Sequence, residues 1–360
     1  MTKSKHMSRS TSLKSNIDYS LQLNRWFLKV IGIWSQINGS SKILVLLYIF
    51  ICVILMACIM IPCTLFMLFE DANIKLKLGA VAPLLHRIMG WVNYYVLLRR
   101  SGDIRKLIRH MEADWEIINR IEDRKVMIQY AKFGRFVVGI CGMFMHGSAF
   151  LFSVAKFLST FIVNSSIVGG CSLAAVFATH ACGQLNVLYT WLHELVENQK
   201  GNHVTERKMA VIVEHHLRVL SFIARVERIM NKISLVELMG CTMIMCLMGY
   251  SFLLALEDFD ATKITSYINV YLSMAFNIFI YCYIGEIITE RCKHVGEMAY
   301  MTDWYNLHHK TARGLVLIIA RSNNVIKITA GKLFHLSVAT FGDVIRTSMI
   351  YLNLLRTLTM

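Results

Sequence analysis

Few side chains in this sequence are spaced for bond-making chemistry. Paired acids stand at Glu70-Asp71 and Glu257-Asp258, the latter joined by Asp260. No GxSxG, HExxH or phosphate-cradling glycine loop accompanies them, and no Cys or His spacing suits a metal. The sequence therefore reads as no enzyme, with no metal and no cofactor. Recognition and charge handling remain. Ile88 and Trp91, then Met143, Phe144, Gly147 and Ser148, then Phe177, then Tyr267, Tyr271 and Met274 are aromatic, aliphatic, thioether and small residues within apolar runs. An apolar pocket with one or two polar groups suits a small apolar ligand, and flexible methionine suits a loosely specified one. Aromatic residues inside a bundle are more often packing than pocket. Asp343 and Arg346, three apart and so on one helical face, interrupt an apolar stretch near the end of the chain. They either neutralise each other inside a bundle or border a water-filled path.

The elements that position these groups are membrane spans. Of 360 residues, 56% are hydrophobic, 17% are charged and two are proline, whereas soluble domains carry about 25% charged residues. The net charge of +15 comes from basic residues lying between apolar runs. That distribution fits a membrane surface and argues against nucleic acid as a partner. Seven runs are long enough for spans, at 43–69, 76–98, 133–153, 167–189, 233–256, 264–284 and 333–355. Before them, residues 1–42 form an N-terminal arm without the pattern of a signal peptide. Within it Leu23, Trp26, Phe27, Val30, Ile31 and Trp34 make one apolar helical stripe, lying in the membrane interface or packing on the protein's own inner side.

Lys and Arg crowd the arm and the segments after spans two and four, as at Arg99, Arg100, Arg105, Lys106 and Arg109. The positive-inside bias then puts the N-terminus in the cytosol and the C-terminus outside. Asn164-Ser165-Ser166 is a glycosylation sequon in the outer loop expected over 154–166, and Cys63 and Cys171 fall near outer ends, where they could pair. Span four is expected to continue as a helix into the cytosol.

The C-terminal stretch also carries a resemblance. ITAGKLFHLS, then TF, VIRTS, Tyr351 and Leu354-Leu355 follow Tyr281, Gly285, Trp304 and the run LVLIIARS. This order resembles the signature of the insect odorant receptors. The resemblance implies an all-α membrane protein of seven transmembrane helices whose cytosolic helical extensions form an anchor. It implies a subunit of an odorant-gated, non-selective cation channel, forming a heterotetramer with a co-receptor in the cell membrane of olfactory neurons. Small volatile odorants, membrane lipid and cations are the other partners. The family's pocket lies among spans two, three, four and six, which is why the aromatic and thioether residues above are candidates. The family's pore is lined by the lower part of the signature, so Leu354, with Leu358 beyond it, becomes the candidate hydrophobic gate, with Asn353 and Thr357 as polar neighbours. Related gustatory receptors share the topology. They usually carry a Thr-Tyr pair followed by Gln-Phe; here Ile350 precedes Tyr351 and no Gln-Phe follows, so that reading stands second.

Overall fold

The computed structural model describes residues 18–38, 42–69, 74–118, 120–147, 154–197, 202–257, 259, 261–323 and 326–359. Helix α1 (18–30) breaks at Gly32, whose φ of +76° suits a residue without a Cβ, before α2 (Ile33–Asn38). There follow α3 (Lys42–Phe69), α4 (Ile74–Arg99), α5 (Ser101–Ile117), α6 (Ile121–Gly147), α7 (Val154–Glu197), α8 (Asn202–Glu257) and α9 (Ala261–Met301). A 3-10 turn (Trp304–Asn306), α10 (His309–Asn323), a hairpin of β1 (Thr329–Ala330) with β2 (Phe334–His335), and α11 (Val338–Thr359) complete the described chain.

Side-chain contacts fix how the helices run. Asn93 meets Glu237 and Met89 crowds Gly240, so α4 and α8 are antiparallel. Val163 sits on Gly90 and Thr160 on Arg87, so α7 runs parallel to α4. The end carrying residues 74, 154, 257 and 261 is called the upper end, and the end carrying 99, 197, 202 and 301 the lower. Among the described residues, four helices hold stretches long and apolar enough to cross a membrane: Val45–Phe69, Thr160–Leu195, Val204–Leu256 and Ala261–Met301. Helices α7 and α8 have 44 and 56 residues. At 1.5 Å per residue they run about 66 and about 84 Å, well beyond a hydrocarbon core of about 30 Å, so neither fits wholly within one.

Helix α7 is the axis of the bundle. Every residue from 162 to 185 is buried, which is why the apolar character runs around the whole helix instead of down one stripe. Helix α3 is the opposite case: Ile43, Leu46, Leu47, Phe50 and Leu68 are exposed, an apolar face left open among the described residues.

Several sequence expectations change here. The loop expected over 154–166 is the first part of α7, and the third and fourth spans become α6 and α7, joined by residues outside the described set. Asn164 is only 2% exposed and its amide donates to the Met145 carbonyl, while Ser166 Oγ donates to the Gly90 carbonyl at 3.4 Å. Small polar side chains let membrane helices approach closely, so this run is helix contact, and Asn164 is no glycan acceptor in this fold. Cys171 lies 3.4 Å from Cys141 Sγ and not near Cys63, whose thiol faces the Ala80 carbonyl at 3.9 Å. The N-terminal stripe packs on the protein itself. Leu28 and Ile31 are fully buried, Phe27 stacks on His146 at 5.6 Å between ring centres, and Asn24 donates to the Ser172 carbonyl at 3.1 Å.

The last helix begins at Val338, five residues later than the apolar run suggests. Gly331 and Lys332 both have positive φ, which turns β1 back on β2, and Ser337 Oγ then accepts the Thr340 amide as an N-cap. A Cβ on Gly285 would lie 2.3 Å from the Leu336 carbonyl oxygen, so only glycine lets α9 pass this junction.

Candidate functional site

About 24 Å below the upper end of α9, at 1.5 Å per residue, a polar layer crosses the apolar interior. Glu237 of α8, 1% exposed, accepts hydrogen bonds from the side-chain amides of Asn93 on α4 and Asn277 on α9, the latter at 2.6 Å. Cys241 Sγ stands 3.7 Å from the same carboxyl and 3.7 Å from Met274 Sδ. Each helix presents a sulfur side chain one turn above this layer: Met89 on α4, Cys241 on α8 and Met274 on α9. Asn93 and Asn277 are polar positions in apolar runs, but nothing in one sequence says that they and Glu237 share a level. That is why sequence reasoning missed the layer.

Of the expected ligand residues, several gather just above it. Met274 is buried against Cys241. The Phe144 ring is 5.2 Å from Phe276, and its carbonyl accepts the Ser273 hydroxyl at 3.0 Å. Trp91, Tyr267 and Tyr271 are half-buried against the core. Gly147 is the last residue of α6, and Ser148 lies outside the described residues.

Three expectations are corrected. Met143 is 74% exposed, because Met145, about 200° round the helix from it, takes the inward direction, while Phe144 between them stays 40% exposed with its ring on Phe276. Ile88 is exposed for the same reason beside buried Met89. Phe177 is fully buried but packs at 6.0 Å on Phe222, some 23 residues down α7 and far below the other candidates.

A second buried acid ties the lower end. Asp114 of α5, 5% exposed, pairs with Arg218 Nε of α8 at 2.6 Å and with His180 Nε2 of α7 at 3.1 Å. His110 stands off at 3.7 Å. Burial works to raise the Asp114 carboxyl, but His180, His110 and Arg218 outweigh it and hold it below the ordinary carboxylate value.

Helix α11 has two sides. Val344 and Ser348 are buried and Leu352 reaches Gly249 of α8. On the other side Asp343, Arg346, Met349, Ile350, Asn353, Leu354 and Thr357 are exposed, with Leu354 at 54%. Among the described residues no ion pair joins Asp343 to Arg346. Mutual neutralisation inside the bundle is therefore not what the fold uses, since both side chains leave the intrachain core. Leu358 belongs to the same helix.

The 7tm Odorant receptor family model matches residues 143–349, more than half of the chain. Odorant receptor 13a of Drosophila melanogaster is 25% identical over 226 residues, covering 56% of this chain and 53% of that protein. Odorant receptor 82a of the same organism is 27% identical over 208 residues, covering 56% of this chain and 52% of its own length. The chain thus spans about half the length of these curated relatives. The insect olfactory receptor OR5 from Machilis hrabei, solved in complex with eugenol, has a TM-score of 0.74 to this fold at 14% identity, over 95% of this chain and 100% of that one. A family match over α7, α8, α9 and most of α11, joined to a shared fold, places this chain in the insect odorant receptor family of membrane proteins.

Proposed function

We propose that the chain is the odorant-sensing subunit of a ligand-gated, non-selective cation channel, built as a heterotetramer with the family's co-receptor. In this reading α3, α4, α6, α7, α8, α9 and α11 cross the membrane. The lower end, with Arg99 and Arg100 where α4 gives way to α5 and Arg105, Lys106 and Arg109 along α5, is cytosolic. The N-terminus is then inside, and α11, rising parallel to α8, carries the C-terminus outside. Volatile ligands bind above the Glu237 layer, among Trp91, Phe144, Tyr271 and Met274. The cell membrane of olfactory neurons is the expected site of action.

One observation carries the proposal. A membrane helix with Asp343, Arg346 and Asn353 on a face that the described residues leave uncovered needs water or other subunits beside it, because a charge against lipid is costly. A central pore supplies both. Leu354, with Leu358 a turn further on, is then the hydrophobic constriction that closes by dewetting, with Asn353 and Thr357 beside it. The gustatory-type alternative shares this topology, and the odorant receptor family match counts against it.

Currents recorded from cells expressing the chain with and without a co-receptor, across a panel of volatiles, test the proposal. Odorant-evoked cation current that requires both subunits is expected. Surface-expressed complexes that stay silent to the whole panel would refute it.

A further inference from the structure

We propose that the Glu237 layer is a ligand subsite for small molecules with a hydrogen-bond-donating head group, a primary amine above the matched alcohol and both above the hydrocarbon. The inference rests on reading the upper bundle as the ligand-binding region. The layer is short of donors. Asn93 and Asn277 direct their amide groups at Glu237, which leaves both side-chain oxygens buried without a partner, as is the hydroxyl of Tyr281 one turn below Asn277. Among the described residues no cation pairs with Glu237, in contrast to Asp114 with Arg218 at 2.6 Å. A carboxyl group away from water gains most from a partner that brings N–H donors and positive charge together, and an ammonium group does both. An alcohol supplies one donor and no charge. A hydrocarbon supplies neither.

The way in is soft. Met89 and Met274 are buried directly above the layer, and their unbranched thioethers change rotamer without moving backbone. Met274 touches Cys241, which touches Glu237, so displacing one thioether opens a route from Phe144 and Tyr271 down to the carboxyl. Helix α8 contributes the deciding residue here, whereas the ligand candidates legible in the sequence lie on other helices.

The test uses the full chain purified in detergent, with benzylamine, benzyl alcohol and toluene as probes of one size, read by ligand-induced thermal shift. Wild type should bind in that order. Glu237→Gln should weaken benzylamine roughly tenfold or more while leaving toluene within about twofold, since only the amine loses a charge-assisted hydrogen bond. Should Glu237→Gln fail to fold, the wild-type order decides alone. Toluene binding as well as benzylamine in wild type, or an unchanged amine preference in Glu237→Gln, overturns the proposal. The expected order without any odorant-evoked current in co-receptor cells would leave this subsite standing and refute the channel reading. Evoked currents with no amine preference would do the reverse.

Discussion

Asp114 and Glu237 are both acids with almost no exposed surface, yet the bundle gives them opposite company. Asp114 sits at the lower end, where α5, α7 and α8 meet, with a guanidinium at 2.6 Å and a histidine at 3.1 Å. Glu237 sits inside the bundle with two amides and a thiol, under a layer of sulfur side chains. The first acid has its counter-charge within the chain and serves as a cross-brace. The second has donors but no cation, and its neighbours keep unpartnered oxygens. The difference separates a group that holds the fold from one that is available to a ligand.

The largest effect should come from the brace. Removing one member of a buried ion pair strands the other, at a cost of about 3 kcal/mol or more. Asp114→Ala should therefore lose most of its surface expression and melt well below wild type in detergent. Glu237→Gln, which keeps its shape and a carbonyl acceptor, should do so far less. Equal losses would break the comparison. The sign with pH also follows. The Asp114 carboxyl is held below its ordinary value, so its contribution is full above the unfolded carboxylate range and is lost as pH falls through the depressed folded value. Thermal stability against pH should fall on the acid side in wild type and flatten there in Asp114→Asn.

A smaller effect distinguishes soft packing from hard. A Cβ on Gly285 meets the Leu336 backbone at 2.3 Å, whereas one on Gly240 meets the Met89 thioether at 2.5 Å. Backbone cannot step aside, while methionine can. Gly285→Ala should cost about 1–3 kcal/mol by overpacking, and Gly240→Ala clearly less. Melting temperatures of the two variants measure this. If Gly240→Ala proves the worse, the sulfur layer is rigid and the route to Glu237 is closed.

Much of the fold was legible because the bilayer imposes length and composition. The uncharged run in α3 and the signature around Gly331 to Ser348 announce themselves. The continuation of α7 through Asn164, Ser165 and Ser166 did not, because three small polar residues in a row read as a loop until neighbouring helices are seen to absorb them. The pocket was legible by segment and not by residue. Met143 and Phe144 both keep exposed surface, and only the packing of α6 in the bundle shows that Met145 is the residue turned inward. The Glu237 layer was invisible, since residues 93, 237 and 277 meet only through the antiparallel register of three helices.

The central claim is that the uncovered face of α11 lines a pore, and basal current in Leu354→Ser tests it most directly. Leu354 points away from the chain's own core, whereas Leu352 packs on Gly249 of α8. Expressed with a co-receptor and normalised to surface protein, Leu354→Ser should conduct without odorant because a polar ring no longer dewets. Leu352→Ser should lower expression and leave basal current unchanged. Constitutive current from Leu352→Ser with a silent, well-expressed Leu354→Ser would contradict the account and put the pore on the other side of this helix.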